Sequence, residues 1–194
     1  MKNRNVWAAS TAAALVLALA PAAAARQEAG TSTTVTVMPA VAAFEGRAKE
    51  YSRLREQIED QMPKLPKEAT PEQIEAHKSA FRERVRAARA GARQGQLFTP
   101  AVAVHIRSTI RNSFTRAERA ELRQTVLEAE TKGVPVRVNH TYPAAKELVE
   151  MPPTLLLKLP QLPKQLRYRF VGRNLLLVDR ENGLIVDYMR DALP

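Results

Sequence analysis

The sequence predicts an α+β protein, with about four N-terminal helices followed by a small antiparallel three-stranded β-meander. Three observations carry that prediction. Apolar residues recur at helical spacing between residues 44 and 129, with threonine-led helix starts at Thr70, Thr99 and Thr115. From residue 134 onward prolines at 135, 143, 152, 153, 160 and 163 punctuate the chain. After residue 166 three short runs rich in Leu, Ile, Val and Tyr are separated by two turn signals, the second an Asn182-Gly183 pair. The 194 residues are 45% hydrophobic and 26% charged, a globular composition that leaves room for one domain or two small ones.

Residues 1–25 read as a secretory signal peptide. Lys2 and Arg4 form a short positive region, residues 6–20 carry no charge, and Pro21 breaks the run before the small residues 22–25. The run is shorter than the roughly 20 residues that span a bilayer. Cleavage is expected before Arg26, leaving no transmembrane span. Residues 26–42 read as a flexible linker with one weak strand at residues 34–37. Residues 43–133 form the helical region, and residues 134–194 the proline-punctuated meander region.

Phe44, Tyr51, Leu54 and Ile58 place the first helix at residues 44–61, closed by Met62-Pro63. Thr70, Pro71, Glu72 and Gln73 read as N-cap, first-turn proline and acidic first turn of a second helix running to about Ala92. Its later half carries Arg82, Arg86, Arg89 and Arg93 at i, i+4, i+7 and i+11, beside an apolar stripe of Phe81, Val85, Ala88 and Ala92. Cations near a helix C-terminus favour its dipole, which explains part of the stripe. The rest is a candidate surface for an anionic partner. Thr99-Pro100 opens a third helix with Val102, Ile106 and Ile110 on one face and Phe114 at its end. Thr115 and Glu118 form a capping box for a fourth, whose stripe is Leu122, Val126 and Ala129, with Gly133 as C-cap.

Val134, Val136 and Val138 alternate with Pro135 and Arg137, the pattern of an edge strand. Residues 154–159 form a turn or two of helix opened by Pro152-Pro153, and residues 159–163 are extended. The meander then occupies residues 167–171, 174–179 and 184–189. One face carries Tyr168, Phe170, Leu175, Leu177, Leu184, Val186 and Tyr188. A lone meander is marginal in water, so this face must pack on residues 155–157 or on the helices.

Candidate chemistry is sparse. The absence of cysteine excludes disulfides, thiol catalysis, thiolate metal sites and a lipidated N-terminal cysteine. His77, His105 and His140 stand alone in different elements without metal-ligand spacing. No serine has a nucleophile-elbow or Ser-x-x-Lys context, and there is no phosphate loop or dinucleotide glycine pattern. Asp179 reads as a turn former, and Asp187, about three residues up the opposite strand, is not expected to share a site with it.

The C-terminal pattern resembles an uncharacterised family of exported bacterial proteins. It is carried by Pro152-Pro153-Thr154-Leu155-Leu156, Leu159-Pro160-Gln161-Leu162-Pro163, Tyr168-Arg169-Phe170-Val171-Gly172-Arg173 and Leu184-Ile185-Val186-Asp187, with Phe98-Thr99-Pro100 opening a helix upstream. The resemblance covers roughly residues 97–190 and implies export but no activity. More loosely, residues 171–187 are similar to the C-terminal hairpin of the periplasmic nickel/cobalt-homeostasis family. Thr70-Pro71-Glu72-Gln73 is similar to the Leu-Thr-x-x-Gln motif of periplasmic heavy-metal-resistance and stress-chaperone proteins, with Ala69 in place of the leucine.

The formal net charge is +10. Loss of Lys2 and Arg4 with the leader leaves 28 Lys+Arg against 20 Asp+Glu, a net charge of +8. Such a chain is drawn to anionic surfaces. The sequence therefore predicts a non-enzymatic, periplasmic or secreted envelope accessory or binding protein without a cofactor. Its partner would be an anionic envelope component or a protein, met through Arg82, Arg86, Arg89 and Arg93, with no specific nucleic acid. The alternatives are a holdase-like stress chaperone, which needs an exposed apolar concavity, and a metal-homeostasis protein, which needs the histidines to converge with carboxylates.

Overall fold

The computed structural model describes residues 29–129, 134–143 and 151–193. The leader read at residues 1–25 and the cap read at Gly133 lie outside them. The described residues form α1 (Ala29–Asp60), α2 (Pro71–Ala88), α3 (Pro100–Ser113), α4 (Arg116–Glu128), the short α5 (Pro153–Leu156), and strands β1 (Leu166–Val171), β2 (Asn174–Asp179) and β3 (Ile185–Met189). This is an α+β layout with an antiparallel sheet in the order β1-β2-β3. No described helix is long and apolar enough to cross a membrane.

The helix starts follow their local chemistry. Gln73 N–H donates to Thr70 Oγ1 at 3.3 Å while Thr70 N–H donates to Gln73 Oε1 at 2.9 Å. Thr115 and Glu118 repeat the arrangement at 3.2 and 2.6 Å. Those backbone and side-chain bonds from Thr115 hold the Glu118 carboxyl below its ordinary pKa. Of the region read as linker and weak strand, residues 29–42 are helical: α1 begins at Ala29 and passes through Pro39. The β-branched residues there are only modestly poor helix formers, and adding a residue to an existing helix costs far less than starting one.

One core cluster lies between the helices and the inner face of the sheet. It joins Phe44, Ala48 and Tyr51 of α1, Phe81 and Val85 of α2, Val102, Ile106 and Ile110 of α3, Val126 of α4 and Leu155 of α5 to the sheet residues Leu166, Tyr168, Phe170, Leu175 and Leu177. At its centre Phe44 stacks on Phe98 (5.4 Å between ring centres) and on Tyr168 (6.5 Å). Such pairs add about 0.5–1.5 kcal/mol each to the area they bury.

The segment 134–143 is not a strand. Pro135 has no N–H, Arg137 N–H turns back to the Pro135 carbonyl, and Asn139 sits in the left-handed region (φ 63°). The segment nevertheless covers the outer edge of β3. Asn139 N–H donates to Ile185 O, Ile185 N–H to His140 O, and Tyr142 N–H to Gly183 O, at 2.8–2.9 Å. Val134 and Tyr142 also close a second small cluster over Val171, Leu176, Val178, Ile185 and Tyr188 on the outer sheet face.

The pairing of β2 with β3 slips between Leu177 and Val178, where Leu177 faces Asp187 and Val178 faces Ile185. This bulge leaves Val186 extra, so Val186 and Asp187 both address the helices. It also moves Tyr188, expected on the inner face, to the outer one. Asp187, wholly buried, accepts N–H bonds from Gly95 (2.9 Å), Leu97 (2.7 Å), Phe98 (2.8 Å) and Tyr188 (2.8 Å). It thereby clamps the loop between α2 and α3 and sets Phe98 in the aromatic stack. Asp187→Asn would turn an NH2 group toward backbone donors and lose at least two of these bonds. The expected loss is about 3 kcal/mol, or a fall in Tm of roughly 6–12 °C in thermal denaturation. A fall under 2 °C would remove the clamp from this picture.

Candidate functional site

The arginine stripe of α2 lies mostly against the sheet. Arg82, Arg86 and Arg89 are half-buried and Arg93 is exposed. Arg82 Nε donates to Asn182 O at 2.8 Å. Arg86 Nε donates to Asn139 O at 3.0 Å and Nη2 to Thr141 Oγ1 at 3.2 Å, while Nη1 pairs with Glu83. Arg89 donates to Asn139 Oδ1 (2.8 Å) and Val186 O (2.7 Å), receives Asn139 Nδ2 on its own carbonyl (2.6 Å), and lies over the Tyr51 ring at 5.1 Å. Burial lowers the Arg89 pKa, opposed by Tyr51, Asp187 and Asp179. Only Phe81 and Val85 of α2 are fully buried. Three of the four arginines read as partner-binding therefore fasten a polar helix to the β2–β3 hairpin and to residues 139–141 beside it.

Facing them is a cation that the sequence reading missed. Arg55 of α1 is 4% exposed. Its Nε lies 3.3 Å from Asp179 Oδ2, an ionic contact without hydrogen-bond alignment, and its guanidinium also pairs with Glu181 and with Glu59 and covers the Phe81 ring. Asp179, wholly buried, accepts from Tyr51 Oη at 2.7 Å and from the N–H groups of Glu181 and Asn182. The expected turn-forming role of Asp179 is present, together with this unforeseen one. The signal was available: Phe44, Ala48, Tyr51, Arg55 and Ile58 share one helical face, which places Arg55 in the core register.

The histidines occupy separate settings. His77 Nε2 lies 3.1 Å from Pro63 O, His105 is half-buried on α3, and His140 sits beside the β3 edge. Among the described residues no three His, Asp or Glu side chains gather as a metal site. The buried serine, Ser52, donates to Gln165 Oε1.

An open trough of about 580 Å³ runs along β1, between that strand and residues 151–164. Lys164, Arg167, Arg169 and Arg180 line it, with Met151, Leu156, Leu162, Pro153, Pro160 and Pro163 as its apolar wall. No aspartate or glutamate is among its described lining residues. Lys164 and Arg180 are exposed, and Arg167 and Arg169 are half-buried. Burial first, and the neighbouring Arg180 charge second, lower the Arg167 pKa. The alternation Arg167-Tyr168-Arg169 was visible as a strand pattern. That the strand lies at an end of the sheet, flanked by Lys164 and Arg180, required the fold.

Compared with family models, curated proteins and solved structures, the chain matches none.

Tyr51, Tyr142 and Tyr168 have raised pKa values. Burial is the leading cause for each, joined by Asp179 at Tyr51 and by Glu45 at Tyr168, while at Tyr142 the nearby arginines oppose it. An unfolded phenol ionises near pH 10. Folded-state values above this mean that their stabilising contribution is complete below about pH 10 and is lost as pH rises toward the folded values. Stability to urea should therefore fall above about pH 10, with most phenolate absorbance appearing together with unfolding. Complete phenol ionisation near pH 10 with intact far-UV circular dichroism would contradict this.

Proposed function

We propose that the chain is a non-enzymatic exported binding protein of the cell envelope, periplasmic or secreted, whose partner is anionic. The observation that carries this reading is the trough beside β1, whose described lining residues include four cationic side chains and no acidic one. The leader pattern of residues 1–25 and the net charge of +8 on the remaining chain support export and attraction to anions. The stripe of α2 contributes less than its spacing suggests, because Arg82, Arg86 and Arg89 already serve acceptors inside the fold.

Two alternatives draw less support. A holdase needs an apolar concavity on the helices, yet the stripes of α1 to α4 join the sheet in one buried cluster. A metal-homeostasis role needs converging ligands, and the described histidines do not provide them.

Binding to immobilised poly-L-glutamate, measured at low and high ionic strength, tests the reading. Lys164→Gln with Arg180→Gln should weaken binding roughly tenfold and flatten its salt dependence, since exposed charges contribute up to about 1 kcal/mol each. Arg82→Gln with Arg86→Gln should instead lower Tm. Unchanged binding by the trough variant would overturn the assignment of the trough.

A further inference from the structure

We infer that the anionic partner is the surface of a lipid bilayer, which the turn of α5 enters with Leu156 and Leu157 while Lys158, Lys164 and Arg180 meet its headgroups. This rests on the anionic partner proposed above and adds its class and the face that meets it.

The segment 151–159 has two faces. Met151, Leu155 and Leu159, four residues apart, are buried in the core cluster. Leu156, Leu157 and Lys158 lie on the other side and are exposed. Leu157 is 88% exposed, more than any other large hydrophobic side chain among the described residues, and Leu156 beside it is 46% exposed. A single exposed leucine is ordinary, whereas contiguous apolar surface marks a site of interaction. Here the surface is contiguous, because Leu156 also belongs to the apolar wall of the trough with Leu162, Pro153 and Pro163.

The backbone of this turn suits an apolar surrounding. Leu155 and Leu156 N–H donate to Pro152 O, Leu157 N–H to Pro153 O, and Lys158 and Leu159 N–H to Leu155 O, at 2.9–3.2 Å. Pro160 has no N–H. From residue 155 to residue 160, therefore, no backbone N–H depends on water for its partner. Unsatisfied backbone is the main obstacle to placing main chain in lipid, and the N–H groups of this turn do not raise it.

The cations adjoin the leucines. Lys158 follows Leu157 directly, and Lys164 and Arg180 line the trough whose wall Leu156 shares. All three are exposed. Lysine stems can lie along apolar surface and keep the ammonium group at headgroup level. Apolar side chains flanked by cations are the pattern of proteins that lie on anionic membranes without spanning them. A soluble acidic polymer would use the cations but would leave Leu156 and Leu157 without a role.

The test is co-sedimentation of the purified protein with phosphatidylglycerol vesicles and with phosphatidylcholine vesicles, beside binding to immobilised poly-L-glutamate. Any affinity of residues 1–25 for lipid is common to all variants, so the comparison is between variants. The protein should prefer phosphatidylglycerol to phosphatidylcholine roughly tenfold. Leu157→Ser should weaken binding to phosphatidylglycerol roughly tenfold, with an unchanged circular dichroism spectrum and unchanged binding to poly-L-glutamate. Lys158→Gln with Lys164→Gln should weaken vesicle binding at low salt and flatten its salt dependence. The sequence has no cysteine, so Leu157→Cys accepts one environment-sensitive fluorophore. Its emission should move to the blue on phosphatidylglycerol vesicles and stay in place with poly-L-glutamate. Full vesicle binding by Leu157→Ser, or an unshifted fluorophore on bound vesicles, would overturn entry of the turn into the bilayer. Equal binding to the two lipids would overturn the part given to the cations. Binding to poly-L-glutamate without binding to vesicles would overturn the membrane and leave the anionic partner standing. No binding to any of the three would overturn both readings.

Discussion

The β2–β3 hairpin buries two carboxylates, Asp179 and Asp187, on its helix-facing side, and the remaining elements are arranged to satisfy them. A carboxylate removed from water costs several kcal/mol unless donors replace the lost hydration. α1 brings Tyr51 and Arg55 to Asp179, and the loop after α2 brings three N–H groups to Asp187. α2 supplies arginines to the carbonyls of Asn182 and Val186, in the turn and the bulge of the same hairpin. The apolar cluster then fills the space between elements whose positions these polar demands have narrowed. Apolar contact alone is non-directional and would tolerate several placements of α2, which buries only two side chains.

The basic residues recruited into this interface are arginines. Lys49, Lys64, Lys67, Lys158 and Lys164 are exposed, whereas Arg55, Arg82, Arg86 and Arg89 enter the interface between helices and sheet. A guanidinium presents several donors in a planar fork and can serve two acceptors at once, as Arg89 does with Asn139 Oδ1 and Val186 O. An ammonium is a compact and more strongly hydrated charge. The net positive charge of the chain is thus not a measure of free surface charge, because part of it neutralises and bridges groups inside the fold.

The elements were legible in the sequence wherever the signal is local. The capping residues Thr70 and Thr115, the prolines at 71 and 100 and the Asn182-Gly183 turn locate four helix or hairpin boundaries within a residue or two. The failures share a cause, which is that a partner distant in sequence decides the outcome. Residues 29–42 are helical because they extend a helix anchored further on. Tyr188 changes face because a bulge shifts the register by one residue. The arginine stripe has the spacing of a solvated helix face, and only the presence of Asn139, Asn182 and Val186 carbonyls opposite turns it inward. The trough was least legible, since its cations come from β1, the turn before it and the residue after β2.

The edge of β1 draws these strands together. Natural sheets guard their edge strands with charge or with covering elements. On β1 Arg169 and Arg180 rest on the outward carbonyls of Tyr168 and Leu166, and Leu166, Tyr168 and Phe170 are buried. The same alternation that sends Tyr168 inward to the Phe44 stack sends Arg167 and Arg169 to the trough, so core packing and edge protection are set by one three-residue run.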